Sequence, residues 1–598
     1  MKQRILQLRY AVRLVWDSGP GWFVASCTMV AVQGILPLVA LYLLKKIVDS
    51  VIAALPASGG DGALQQAFLY IGLAALVGLL DATCRCLAGL ISENQSQAVA
   101  DHVQAQIQRQ SAAMDLAFYE TSAYQDTLHR AQLDARTKPL RIVQALTRVS
   151  ADLISIAGLA ALLLAYHWGV TLVLGLGMLP GFLVALRVSR RMFGWKNACT
   201  EMERKTHYLH WILTSGLYAM ENKCFGFSRA LMPRFRELRG RLRRERLGLL
   251  KQQMAGEWIA QGGGVLVVFG CLAFMTGQTA RGLMTVGSLV MFAQALRRTE
   301  GFFRDLLRSF ASLYEDSLFL RNIRELMDLK PSIAAPENPV APPAPGGDVF
   351  RVDRVTFRYP GTETPALRDV SIEIQAGRRV ALVGHNGSGK STLIKLLCRL
   401  YDPEAGRVEW GGVDIRSLDP EVYRRQIGVL FQNFNRYSFP VRENIWLGNI
   451  GLDPRDPRIE EAARLSDAAG VIGRLPQGYD TPLGRGFKAG AEISQGEWQK
   501  IALARALVGD ARLLVLDEPS SFLDPEAEEQ LFANLQAISA DKAILFVSHR
   551  LATVRQADWI YVMENGGIQE QGTHADLLRQ DGLYARMFRL QARGYQAG

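Results

Sequence analysis

Between Gly21 and Leu44 the chain reads GWFVASCTMVAVQGILPLVALYLL. An uncharged apolar run of about 20 residues is long enough to cross a bilayer as a helix. Further apolar runs follow through the first half of the chain and stop before the second. Six spans are expected, at about 21–44, 67–91, 151–166, 169–187, 258–276 and 286–307. The basic N-terminus (Lys2, Arg4, Arg9, Arg13) suggests a secretory signal, but the run after it exceeds a signal core and lacks a small-x-small cleavage pattern. It is expected to stay as the first span.

The connections alternate in character. Those near 45–66, 167–168 and 277–285 are short and carry only Lys45, Lys46 and Arg281 as basic residues, whereas 92–150 and 188–257 are long and polar and include RFRELRGRLRRERLG. The positive-inside bias places the long loops and both termini in the cytoplasm, in a multi-pass protein of the inner (cytoplasmic) membrane. The net charge of +11 is therefore read as topology, and no nucleic-acid partner is expected. The seven cysteines show no CxxC and no zinc spacing, and His207 with His210, one turn apart, has no carboxylate or cysteine cluster beside it. Packing roles are expected for the cysteines, and no structural metal for the histidines.

A chain of 598 residues exceeds one compact core. PSIAAPENPVAPPAPGG, from Pro331 to Gly347, suits neither a helix nor a central strand and marks a boundary. Beyond it, short β-branched runs alternate with helical patterns, as in an α/β domain with a largely parallel sheet. The expected fold class is a multi-domain membrane protein: an all-α six-helix transmembrane domain over 1–330, a Pro-rich linker over 331–347 and an α/β P-loop domain over 348–598.

RRVALVGHNGSGKSTLIKLL supplies strand, glycine loop and helix in the order a phosphate cradle requires. The cradle runs through Gly384, His385, Asn386, Gly387, Ser388, Gly389, Lys390, Ser391 and Thr392. Its glycines let backbone N–H groups converge on phosphate oxygens, Lys390 reaches the β and γ oxygens, and Ser391 offers a hydroxyl to Mg2+. Downstream, ARLLVLDEPSSFLD is a buried apolar strand ending in two acids. Asp517 suits the Mg2+ site, and Glu518 suits polarisation of an attacking water. KAILFVSHR places His549 at another strand end, within reach of a γ-phosphate. Tyr359, about 25 residues before the cradle, offers a ring for adenine, although a place in the core or on the surface suits it too. Gln432, after the strand in IGVLFQNF, could serve Mg2+ or the water, or neither.

ISQGEWQKIALARAL opens on a serine and a glycine ahead of an amphipathic helix, with no base or metal ligand beside them. A hydroxyl and an N–H at a helix N-terminus make an anion cap. The cradle has its lysine, metal ligands and base, and lacks a cap on the exposed side of the γ-phosphate. Ser494, Gln495, Gly496 and Glu497 resemble the signature sequence of the ABC transporter family, usually LSGGQ, with Gln495 replacing the first glycine and Glu497 the glutamine. The resemblance covers essentially the whole chain and looks like a bacterial exporter half-transporter. It implies a head-to-tail dimer, here expected to be a homodimer, in which Ser494 of one subunit serves the ATP of the other. It implies adenine stacking for Tyr359, the loop-glutamine role for Gln432, the D-loop for SFLD with Asp524, and the switch-histidine role for His549. DLAFYETSAYQDTLHRA and LYAMENKCFGF look like its coupling segments.

Arg485 in LGRGF stands where many exporters carry an acid; with WQKIALARA, NRYSFPVRENI and SLYEDSLFLRNI it resembles the subgroup of lanthipeptide and related peptide exporters. About 20 residues precede the first span, so no fused leader peptidase is expected. The sixth span carries Arg297, Arg298, Glu300, Arg304, Asp305 and Arg308, too costly to face lipid near the bilayer centre. They either line an aqueous path or form ion pairs where the helix has left the membrane. Asp81 with Arg85 reads as an i,i+4 pair. The expected activity is ATP hydrolysis driving export of a peptide or amphipathic substrate by alternating access. The alternatives are a flippase for lipid or lipid-linked oligosaccharide, and a membrane ATPase that senses without transporting.

Overall fold

The computed structural model describes residues 2–596 except 56–60, 122–123, 125–126, 129–130, 133–134, 136–137, 167, 345, 347–348, 486–489 and 540, with some helical side chains also outside it. The chain divides into two compact units, one formed by Met1–Ala112 with Asp126–Leu329 and the other by Ala113–Gln125 with Lys330–Gly598. The short stretch 113–125 groups with the C-terminal unit, although helices of the first unit flank it in sequence.

The first unit is helical, with long helices at Pro20–Ala53, Asp61–Ala113, Lys138–Tyr166, Trp168–Ala198, Ser228–Ala280 and Val286–Met327. Each of the six expected spans falls inside one of these. Several run far past a bilayer thickness, because their polar ends continue the helix into the region expected to be cytoplasmic. Their apolar side chains point outward. Phe68, Leu79 and Leu90 are 66%, 67% and 64% exposed, an arrangement that water penalises and lipid does not. Among the described residues, four helices are long and apolar enough to cross a membrane: Pro20–Ala53, Gly62–Ala113, Lys138–Leu164 and Gly262–Ala280. The fourth helix offers only the shorter apolar stretch Trp168–Gly177, and the sixth carries the charged cluster from Arg297 to Arg308.

Those charges are largely paired. Arg304 lies 2.7 Å from Glu300, Arg308 lies 3.6 Å from Asp305, and Arg298 donates to the Pro37 carbonyl at 3.2 Å, tying the last helix to Pro20–Ala53. Asp81 and Arg85 form the expected i,i+4 pair. A buried pair, Lys138 with Asp316 at 2.7 Å, joins the Lys138–Tyr166 and Val286–Met327 helices. Pro20–Ala53 and Lys138–Tyr166 approach so closely that a Cβ on Gly158 would lie 2.2 Å from Leu38, close packing of the kind small residues allow between membrane helices.

The second unit holds two sheets. Strands β1 (Val349–Phe357), β2 (Leu367–Gln375), β4 (Ala405–Trp410) and β5 (Val413–Asp414) make an antiparallel sheet in the order β2-β1-β4-β5. The other runs β10-β9-β3-β8-β7-β6, from β3 (Arg379–Gly384), β6 (Ile427–Leu430), β7 (Leu513–Asp517), β8 (Ala543–Val547), β9 (Trp559–Glu564) and β10 (Gly567–Gly572). Its pairs are parallel except β10 on β9. Strands β7 and β8 are buried at every position, as strands covered on both faces must be, which is why they read as unbroken apolar runs. The carboxyl ends of β3, β6, β7 and β8 emerge along one edge, where open α/β sheets place their ligand sites.

Candidate nucleotide site

Strand β3 delivers the glycine loop. Gly387 and Gly389 adopt φ of 79° and 107°, conformations that side chains resist, and a Cβ on Gly384 would lie 2.2 Å from the Met563 carbonyl oxygen. The helix Lys390–Leu397 then begins inside the loop. Lys390 Nζ donates to the carbonyls of Gly384 and His385, both at 2.8 Å, and to Ser388 Oγ at 3.4 Å. Burial lowers its pKa, so the ammonium is held by loop acceptors that an anion could replace.

Asp517 ends β7, and its Oδ2 accepts from Ser391 Oγ at 3.4 Å. Burial, with the charge of Glu518 beside it, pushes the Asp517 carboxyl up to about 6. A hydroxyl and a carboxylate together, with a second carboxylate next in sequence, fit a hard divalent cation.

Glu518 lies just past the strand at φ 55°, a left-handed conformation for a non-glycine residue. Such strain persists only where neighbours over-determine it. Here the Glu518 N–H donates to the Val547 carbonyl at 3.0 Å, and its own carbonyl accepts from Gln499 Nε2 at 3.0 Å and Ser521 Oγ at 3.1 Å. The bent backbone turns the side chain toward His549, whose Nε2 is 2.9 Å from Glu518 Oε1. Lys390, Ser391, Asp517, Glu518 and His549 thus converge at one sheet edge. Gln432 sits exposed in the turn after β6.

Tyr359 is half-buried, its hydroxyl 3.1 Å from Thr392 Oγ1 and its ring edge-on to Phe357 and Tyr401 at 5.1 and 5.4 Å. Lys395 Nζ lies 5.1 Å over the ring. Nearby, Glu120 accepts from Lys395 at 2.7 Å and from Tyr401 at 2.5 Å. Burial works against the Glu120 charge, but these two donors outweigh it and hold the carboxyl below its usual range.

Ser494 is the N-cap of the helix Gln495–Leu507. Its Oγ accepts from Glu497 N at 3.3 Å, and Glu497 reaches back to Ser494 N at 2.8 Å, closing a capping box. A glutamine could close the same capping box, but the acid also pairs with Arg474 at 2.6 Å. Gln495 is the first helical residue, and a Cβ on Gly496 would lie 2.6 Å from the Phe522 carbonyl oxygen. Asp524 likewise caps Pro525–Ile538, accepting from Ala527 N at 2.8 Å. The Arg485 side chain is 3.1 Å from Glu492, and the segment 486–489 between them lies outside the described residues, as does part of the expected coupling segment beyond Thr121.

Sequence reasoning missed several residues. Gln499 is 2% exposed and clamps Glu518 while accepting from Phe522 N at 3.2 Å; a polar residue on the apolar face of an amphipathic helix was its only signal. Arg505 donates to the Asn444 carbonyl at 2.8 Å and to Asn435 O at 3.1 Å, and it lies 4.7 Å over Tyr437. Glu528 holds Arg550 at 2.6 Å, beside His549. Glu120 lies inside the expected coupling segment, but nothing in that run singled out its carboxylate.

A family profile described as ABC transporter matches residues 367–521. The chain is 28% identical over 589 residues to the subtilin transport ATP-binding protein SpaT of Bacillus subtilis, covering 97% of this chain and 93% of that one. It is 25% identical to the nisin transport ATP-binding protein NisT of Lactococcus lactis, covering 98% and 96%. It is 31% identical to the ATP-dependent lipid A-core flippase of Vibrio cholerae over 549 residues, covering 89% and 90%. In fold it is similar to a bacterial Atm1-family ABC exporter solved with ATP bound, with a TM-score of 0.81 at 24% identity, covering 96% and 99%.

Proposed function

The chain belongs to the ABC transporter family and is an ATP-driven exporter, and from that premise we propose that it moves a peptide or amphipathic substrate out across the inner membrane as a homodimer. The observation that carries the energy-coupling part is the convergence of Lys390, Asp517, Glu518 and His549 at one sheet edge, in a chain whose other unit turns apolar helices outward. The peptide reading rests on the subtilin and nisin transport proteins, which align over 97% and 98% of the chain. The 31% identity to lipid A-core flippases favours a second reading, translocation of an amphipathic lipid.

In this reading residues 1–330 form the transmembrane domain, with six spans and both termini cytoplasmic, 331–347 the linker and 348–598 the cassette. Tyr359 stacks on adenine. The loop from Gly384 to Thr392 takes the phosphates, with Lys390 exchanging its carbonyl partners for phosphate oxygens. Ser391, Asp517 and Gln432 would hold Mg2+, which supplies charge neutralisation across the phosphates. Glu518 accepts the proton of the attacking water, and His549, already 2.9 Å away, orients that carboxylate. Ser494, Gln495, Gly496, Glu497 and Asp524 act on the partner subunit's nucleotide.

The test is reconstitution of the purified protein in sealed vesicles with the cassettes outward. ATP should drive inward accumulation of a fluorescent cationic amphipathic peptide. Movement of fluorescent lipid without peptide would replace the peptide reading by the flippase one. ATP hydrolysis that moves neither would remove the transport assignment.

A further inference from the structure

We propose that Glu120 is a positioning residue for the adenine platform: acting through Lys395 and Tyr401, it makes the base-stacking part of nucleotide affinity depend on where the segment Asp115–Glu120 sits. This rests on the reading of Tyr359 as that platform.

The segment is pinned at both ends within the C-terminal unit. At its start, Asp115 Oδ2 accepts from Ser332 N at 2.5 Å, Ser332 Oγ at 2.7 Å and Ile333 N at 3.2 Å. Leu116 and Ala117, in the short helix Leu116–Tyr119, pack against the core that contains Phe357 and Tyr401. At its end, the two oxygens of Glu120 are divided between Lys395 and Tyr401, at 2.7 and 2.5 Å. Both partners bear on Tyr359. Tyr401 meets its ring edge-on at 5.4 Å, and the Lys395 ammonium lies 5.1 Å over it.

The consequence is electrostatic and geometric. A cation over one face of an aromatic ring is attracted by the ring's quadrupole and leaves only the other face for a base. The same ammonium is claimed by Glu120, so the carboxylate sets how far over the ring it sits. The Tyr359 hydroxyl is also within hydrogen-bond distance of Thr392, and Lys395 lies one turn further along that same helix. The ring is therefore held by Thr392 and Lys395 of the helix that leaves the phosphate cradle and by Tyr401, and Glu120 reaches it through Lys395 and Tyr401, from a segment whose sequence neighbours belong to the first unit. Displacing Asp115–Glu120 withdraws the carboxylate, frees Lys395 and loosens the ring, while the phosphate contacts through Lys390 are untouched. The part of affinity at stake is that of one cation–π contact, about two- to fivefold.

The experiment compares full-length wild type with Glu120→Gln, Glu120→Ala, Lys395→Met and Tyr359→Ala in nanodiscs, measuring steady-state ATPase and inhibition by inorganic tripolyphosphate, which carries no base. The proposal expects KM for ATP to rise about two- to fivefold in both Glu120 variants with kcat within twofold of wild type, and the tripolyphosphate inhibition constant unchanged. Lys395→Met should give the same rise, and Lys395→Met with Glu120→Ala no more than either alone. Equal changes in ATP and tripolyphosphate binding would mean a loosened fold around the cradle and would overturn it, as would unchanged KM in the Glu120 variants while Tyr359→Ala raises KM. An unchanged KM in Tyr359→Ala would remove the platform reading, and this inference with it.

Discussion

The pair Lys138–Asp316 offers a quantitative test of how the helical unit is held together. The two side chains are 10% and 1% exposed and 2.7 Å apart, and Asp316 also accepts from Ser312 Oγ at 3.3 Å. At an effective dielectric of about 20 their attraction is roughly 6 kcal/mol, most of which offsets the cost of desolvating both charges. The net worth of the pair against apolar residues of similar size is therefore small. Breaking it is another matter, because a stranded buried charge costs about 3–5 kcal/mol. Lys138→Met strands the nearly inaccessible carboxylate and should sit at the top of that range. Asp316→Leu strands an ammonium on a flexible stem that is already partly exposed, and should cost less. The double variant should return close to wild type. For a large domain, at about 2 °C per kcal/mol, Lys138→Met should unfold roughly 10 °C below wild type in a thermal scan at fixed detergent and scan rate. A double variant as unstable as Lys138→Met, or a Lys138→Met protein within 1 °C of wild type, would refute the reasoning.

Three further outcomes are expected from the nucleotide site. Glu518→Gln should bind ATP normally but lose at least about 100-fold in turnover and accumulate in an ATP-occluded form, seen by retained labelled nucleotide; near wild-type hydrolysis would take the base role from Glu518. Gln499→Leu removes a donor that holds the strained Glu518 backbone and should lower kcat several-fold with little change in ATP KM, and an unaltered kcat would show the clamp to be dispensable. In mixed dimers purified on two tags, Lys390→Ala on one subunit with Ser494→Arg on the other leaves one composite site whole, whereas both changes on one subunit damage both sites. ATP occlusion should survive in the first and fail in the second, and the reverse order would show each cassette to be self-contained.

What the sequence determined by itself was local. An apolar run of bilayer length, GHNGSGKS behind a strand, two acids at the end of LLVLDE and ISQGE ahead of a helix are each written in consecutive residues, because the backbone geometry that makes them work spans only one element and its turn. The parallel sheet was legible for the same reason: strands buried on both faces must be apolar throughout. The charged sixth helix was only half legible. Six charges in one short helical stretch announced that they needed partners, but only the structure separated Arg304 and Arg308, paired along their own helix, from Arg298, which reaches the Pro37 carbonyl of another.

Tertiary structure alone decided which distant groups meet. Glu120 and Lys395 are 275 residues apart, and Lys138 and Asp316 are 178 apart. No periodicity links such positions, since each residue's own helix says only which face it occupies. Likewise the sequence named Glu518 and His549 separately, and it took the left-handed backbone at Glu518, bent against Val547 and Gln499, to aim one at the other. Periodicity records how a residue stands to its own element. Whether a carboxylate has an ammonium, a hydroxyl or a strained neighbour to satisfy it depends on how elements pack, and that is set by the summed burial of whole faces rather than by any short run of residues.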